Sequence, residues 1–288
     1  MSELTDVRMV RLDGGEFSMG SDRFYPEERP VRRALVEPFC IDETPVTNAE
    51  FERFVTRTDY RTVAERVHEG MPFAGSAVFA APMTAVNLAD PGQWWDFRQG
   101  ACWHAPLGKG SSIEGLAQHP VVHVAFEDAS AYAAWCGKRL PTEVEWEFAA
   151  RGGLEGADYA WGSHLEPEGL VLANYWQGTF PLENTVRDGW ERTSPVRSYP
   201  GNGWGLFDMI GNVWEWTSDD WSLPLHAEPH KPSCCASKRG RGTETKVLKG
   251  GSHLCAANYC QRYRPAARHA QPGSETTSHI GFRCARTA

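Results

Sequence analysis

Twenty-eight glycines, nineteen prolines and twelve tryptophans in 288 residues constrain this chain more than any single motif does. Glycine and proline interrupt helices and strands alike, so punctuation this dense leaves few stretches long enough for a regular element. Aromatic residues make up 11% of the chain and need a shared interior. The expectation is irregular backbone wrapped around an aromatic core, with few and short helices.

With 41% hydrophobic and 23% charged residues, the chain can bury a full core as one large domain or two small ones. Its first residues, MSELTDVRMVRLDGGEF, lack an apolar signal region, and no later run reaches the length of a membrane span. A cytoplasmic protein with no membrane association is expected. The formal net charge of −8 argues against a nucleic-acid partner and favours a basic protein segment. Eight cysteines without a secretory context do not imply a disulfide framework, and Cys40, Cys102, Cys136 and Cys284 read as buried free thiols. Cys234 and Cys235 are adjacent, so a metal site using them needs further ligands.

Residues 9–19 alternate apolar and polar side chains around a glycine pair, which predicts two strands and a turn; residues 30–41 predict another strand. Thr47 and Glu50 form a capping box ahead of Phe51, Phe54 and Val55, predicting a helix of two to three turns. Residues 63–112 read as long surface loops with aromatic anchors, suited to an interaction surface. Residues 121–126 predict a buried strand, followed by a helix over 127–136 that stops at Gly137. Thr142 and Glu145 form a second capping box, opening a helix that ends at Gly152 and Gly153. His119 and His123 are separated by Pro120 and read as core or loop histidines. The chain has no internal repeat, no phosphate-binding glycine loop and no GxSxG elbow.

In residues 248–268, LKGGSHLCAANYCQRYRPAAR, Cys255 and Cys260 are five positions apart. A helix turns the second thiol about 140° from the first, and a strand points it to the opposite face. Only a loop can bring them together, and Gly250 and Gly251 permit one, with Asn258 suited to a left-handed reversal. A structural disulfide, a redox pair and a soft-metal site all fit the spacing. Arg262, Arg264 and Arg268 are either ordinary ion-paired arginines or a source of positive charge that favours the thiolate. His253, two residues before Cys255, is a candidate third ligand if the ion is zinc. Farther upstream, residues 174–215 scatter oxygen-bearing side chains at irregular intervals, as capped loops do and as a hard cation such as calcium requires.

GGSHLCAANYCQRYRPAAR followed by IGFRCAR resembles the C-terminal signature of the formylglycine-generating enzymes, the sulfatase-modifying factors. KRLPTEVEWEFAARGG and the segment from NYWQGTF to GNVWEWTSDDW extend the likeness to nearly the whole chain. The resemblance implies an α+β fold of low secondary-structure content, C-type-lectin-like, as one domain over residues 1–288. It implies a copper-dependent oxidase that uses O2 to convert the cysteine of a Cys-x-Pro-x-Arg motif, in an unfolded or nascent sulfatase, to Cα-formylglycine. Cys255 and Cys260 would hold Cu(I), Ser252 and Tyr259 would position oxygen or water, and Trp214 would wall the pocket. One structural Ca2+ would use Asn174 and Asp188 with the Tyr175 and Trp190 carbonyls. A second would use Asp208 and Glu215 with the Gly211 and Val213 carbonyls; Asp208 stands where the family carries asparagine. A bridge found in oxidising-compartment members is absent, since Ala133 replaces the partner of Cys284. A monomer is expected, with carboxylates near Cys255 to meet the substrate arginine. The alternative is a non-catalytic, lectin-like calcium-binding module, which usually lacks the cysteine pair. Iron-dependent sulfoxide synthases share the domain but require an additional helical bundle with histidine ligands.

Overall fold

The computed structural model describes residues 8–67, 72–223 and 244–288. Its elements are β1 (Met9–Leu12), β2 (Gly15–Met19), β3 (Arg32–Val36), β4 (Phe39–Asp42), α1 (Asn48–Thr58), β5 (Gly75–Phe79), β6 (Trp95–Gln99), α2 (Phe126–Trp135), α3 (Glu143–Arg151), β7 (Trp214–Asp220), β8 (Thr245–Lys249), β9 (Arg268–Pro272), β10 (Ile280–Gly281) and β11 (Ala285–Thr287). The three α-helices among the described residues are short, as the glycine and proline content requires. Both capping boxes form: the Glu50 amide donates to Thr47 Oγ1 at 3.3 Å, and the Glu145 amide to Thr142 Oγ1 at 3.2 Å. Helix α3 ends at Gly152, φ 58°, where a left-handed residue closes the last turn.

Strand pairing joins distant parts of the chain. β1, β4 and β11 make one antiparallel sheet, and β10, β7, β8 and β9 make a second, in that order, with β10 parallel to β7. β2–β3 and β5–β6 are separate hairpins. In the second sheet Glu215 faces Lys249 and Lys249 faces Arg268, so three charged residues form a row across one end of its strands. The largest apolar cluster holds Phe51, Trp103, Tyr132, Trp214, Trp216 and Phe282, and Cys255 and Cys260 belong to it.

Several expectations are corrected. Residues 30–41 form two strands in different sheets, because Pro38 lies between β3 and β4 and cannot donate to a ladder. Residues 63–112 contain the β5–β6 hairpin and bury Val78, Trp94 and Trp103, so they are more than surface loops. Residues 121–125 are buried but not a strand: His123 adopts φ 61°, and its ring is held by Ser76 Oγ at 2.7 Å and the Pro106 carbonyl at 2.9 Å. Cys40 and Cys136 are half-buried, whereas Cys102 and Cys284 are buried; none of the four is in a disulfide. Cys234 and Cys235 lie outside the described residues.

Candidate active site

The cysteine loop begins where β8 ends. Gly250 and Gly251 have φ of 93° and 72°, a region that favours glycine. A Cβ on Gly251 would sit 2.6 Å from the Arg262 carbonyl oxygen, so the returning limb can approach only because no side chain is there. The loop then turns tightly. The Cys255 amide donates to the Ser252 carbonyl at 2.9 Å, and the Tyr259 and Cys260 amides both donate to the Ala256 carbonyl, at 3.1 and 2.9 Å. Cys255 Sγ and Cys260 Sγ therefore face each other at 3.4 Å, each about 1% exposed. A disulfide requires about 2.05 Å. The pair is thus not disulfide-bonded, and the two sulfurs are close enough for one ion to touch both.

Each sulfur faces a donor: the Ser252 amide lies 3.4 Å from Cys255 Sγ, and Arg262 Nη1 lies 3.7 Å from Cys260 Sγ. Asn258 does not adopt the left-handed conformation expected of it. Its side chain clamps the Phe180 backbone instead, accepting from the amide at 3.2 Å and donating to the carbonyl at 3.0 Å. That fixes Phe180, which stacks on Tyr259 at 4.8 Å with planes 3° apart, while Trp94 meets Tyr259 edge-on at 5.4 Å. Ser252 is buried, and its hydroxyl accepts from the Leu254 amide at 3.2 Å. Trp214 is wholly buried; its indole N–H has no hydrogen-bond partner among the described residues. His253 hydrogen-bonds the Asn212 carbonyl through Nδ1 at 2.8 Å, and burial lowers its pKa to about 3, so it is neutral. Among the described residues no three His, Cys, Asp or Glu side chains converge as a metal-binding group. His253 is accordingly not a third ligand beside the two thiols in this conformation.

Comparison with known proteins decides the family. The family model described as "Sulfatase-modifying factor enzyme 1-like domain" matches residues 2–288. The chain belongs to the sulfatase-modifying factor enzyme family. It is 50% identical to the formylglycine-generating enzyme of Mycobacterium tuberculosis over 96% of this chain and 97% of that one. It is also 40% identical to the inactive C-alpha-formylglycine-generating enzyme 2 of Mus musculus, over 98% and 87%. Among solved structures it is similar to PvdO from Pseudomonas aeruginosa, with a TM-score of 0.64, 25% identity and coverage of 97% and 94%.

The residues that family resemblance pointed to for calcium lie in two touching loops. The Asn174 carbonyl accepts from the Asn212 amide at 2.8 Å, and a Cβ on Gly211 would meet that carbonyl oxygen at 2.4 Å. Asn174 Nδ2 donates to the Arg192 carbonyl at 2.8 Å. Asp188 accepts from the Trp190 amide and the Tyr199 hydroxyl, both at 3.1 Å, and the Tyr175 carbonyl accepts from Gln177 at 3.1 Å. Asp208 accepts from the Arg197 amide at 2.9 Å and from Asn212 at 3.2 Å, and burial raises its pKa to about 6. Glu215 accepts from Trp146 Nε1 at 2.7 Å and from Arg283 at 2.7 and 2.8 Å. These carboxylates already cap loops and pair with protein donors, and a cation there would share them.

Sequence reasoning missed the segment over residues 24–28. Glu27 and Glu28 are buried and pair with Arg262 and Arg264, while the Tyr25 hydroxyl accepts from the Gln261 amide at 3.0 Å. Burial, followed by the Cys260 charge, raises the Tyr25 pKa above its ordinary value. Both carboxylates are committed to arginines, so they do not supply the acidic lining expected for a substrate arginine.

Proposed function

We propose that this chain converts the cysteine of a Cys-x-Pro-x-Arg motif, in an unfolded or nascent sulfatase, to Cα-formylglycine, with O2 as oxidant and Cu(I) held by Cys255 and Cys260. The supporting observation is the buried pair of sulfurs at 3.4 Å, held face to face by a tight loop. Two close sulfurs with no third ligand beside them among the described residues suit a soft monovalent ion better than zinc, which favours four ligands. When bound, such an ion supplies a soft centre for the substrate sulfur and for the chemistry of dioxygen.

The chain's own residues define the rest. The Ser252 amide and Arg262 hold the two sulfurs, and the surrounding apolar cluster keeps bulk water away. Tyr259, locked between Phe180 and Trp94, and Ser252 are assigned to positioning oxygen or water, and Trp214, in the same apolar cluster as both cysteines, is assigned to the wall. Two hydrogens, one from Cβ and one from sulfur, leave the substrate with two electrons and are taken up by O2, which is reduced to hydrogen peroxide as the thioaldehyde forms. Water then replaces sulfur at the thioaldehyde carbon, releasing hydrogen sulfide and leaving the aldehyde. We also propose two structural calcium ions at the Asn174/Asp188 and Asp208/Glu215 loops, and a monomer as the working form.

Mass spectrometry tests the reading directly. A short Cys-x-Pro-x-Arg peptide incubated in air with the copper-loaded protein should lose sulfur and two hydrogens and gain one oxygen at its cysteine. An unchanged peptide under full copper loading would reject the oxidase and favour the binding-module alternative.

A further inference from the structure

The two sulfurs differ in what faces them. Cys255 receives a neutral backbone amide, whereas Cys260 receives a guanidinium. Arg262 is buried and is gripped from far along the chain: it donates to Glu27, and its guanidinium lies 3.8 Å from the centroid of the Tyr25 ring. Two residues on, Arg264 donates through both terminal nitrogens to Glu28 and lies 3.6 Å over Phe24. Residues 24–28 therefore form a strap that holds the returning limb of the cysteine loop at alternate positions. Within these two pairs the charges cancel, Arg262 and Arg264 against Glu27 and Glu28. Negative charge gathered on the sulfurs is met through Arg262, whose planar fork reaches the carboxylate and Cys260 from different nitrogens.

We propose that Arg262 is the positioning residue of the two-sulfur site. Braced by Glu27 and Tyr25, it fixes the Cys260 sulfur toward Cys255 and offsets the negative charge that two thiolates and an incoming substrate thiolate bring together. The proposal rests on the soft-metal reading of the cysteine pair. Lysine keeps the charge but lacks the flat fork that spans carboxylate, ring and sulfur at once.

The test is Cu(I) affinity, measured anaerobically by competition with a chromogenic Cu(I) chelator, for wild type, Arg262→Lys, Arg262→Met and the double variant Glu27→Gln/Arg262→Met. The double variant removes both charges of the buried pair, so it folds even if Arg262→Met, which strands Glu27, does not. Loss of a charge-assisted contact predicts Cu(I) binding weaker by about tenfold or more in the double variant. Arg262→Lys should fall between it and wild type. A merely structural role would lower the melting temperature and leave the affinity of the folded protein within twofold of wild type, and that result overturns the proposal. So does a lysine variant no better than the double variant. Failure of the wild type itself to bind Cu(I) overturns the soft-metal reading, and the proposal with it.

Discussion

Glu147→Gln should be among the most damaging single changes in the chain, although it alters one atom and touches neither cysteine. Glu147 is 1% exposed and accepts from Lys249 Nζ at 2.9 Å, from Arg151 at 2.6 and 3.2 Å, and from the Gly20 amide at 2.7 Å. Burial raises its pKa, but Lys249 and then Arg151 outweigh burial and hold it below the ordinary glutamate value. Glutamine has one acceptor oxygen, so its amide N–H groups must face one of the two cations. Lys249 is wholly buried, and its other carboxylate, Glu143, lies 3.8 Å away. Removing one partner of a buried pair costs about 3–5 kcal/mol. A domain has about 5–15 kcal/mol in total. The urea midpoint, followed by tryptophan fluorescence at pH 7, should therefore fall by a large fraction of its value, and Glu147→Gln/Lys249→Met should recover much of the loss. The pH dependence has a fixed sign. A carboxylate whose pKa is depressed on folding stabilises above its unfolded pKa, about 4.3, and that stability is lost as pH falls through the lower folded value. The gap between wild type and Glu147→Gln should narrow below about pH 4. A single variant within about 1 kcal/mol of wild type at pH 7, or a gap that persists undiminished to pH 3, would refute this account.

Three further outcomes are expected. Gly251→Ala forces a Cβ to 2.6 Å from the Arg262 carbonyl at φ 72°, and should cost about 2–4 kcal/mol in unfolding experiments while weakening Cu(I) binding through Cys260. Cys255→Ser and Cys260→Ser should each abolish tight Cu(I) binding in equilibrium dialysis, whereas His253→Ala should retain it; loss in His253→Ala with zinc-restored activity would reject the copper assignment. If the two carboxylate loops hold calcium, a chelator should lower the melting temperature and added calcium restore it, in line with binding to the folded state alone; coincident melting curves would leave Asp208 and Glu215 as capped loop residues.

Local chemistry was readable from the chain, and long-range pairing was not. Thr47 with Glu50 and Thr142 with Glu145 mark two helix starts because a capping box is complete within four residues. Gly250 and Gly251 mark the cysteine loop because positive φ is a property of one residue. Residues 9–19 do yield two strands, yet these do not pair with each other: β1 joins β4 and β2 joins β3. Alternation reports a strand's two faces and says nothing of its neighbour. His123 defeats the strand predicted over 121–126 because Ser76 and Pro106, both distant in sequence, hold its ring in place. The strap over residues 24–28 was invisible for the same reason. Two adjacent glutamates after an aromatic pair look like ordinary surface, and only the fold shows that their partners lie more than 230 positions away.

This arrangement explains why a chain so poor in regular structure can hold two sulfurs at a fixed separation. Backbone hydrogen bonds from the Cys255, Tyr259 and Cys260 amides define the tight turn, and side chains fix the limb that returns from it. Around residues 249–268 that work is done by four ion pairs, three buried and one half-buried: Lys249 with Glu147, Arg262 with Glu27, Arg264 with Glu28, and Arg268 with Glu143. Buried pairs of this kind add little net stability compared with apolar side chains of the same volume. Their effect is directional: each guanidinium or ammonium accepts only a narrow range of carboxylate positions, and four of them leave the limb between Gly251 and Arg268 one route past Cys255 and Cys260. The cysteines can then sit close together without the disulfide that would otherwise be the simplest way to hold them.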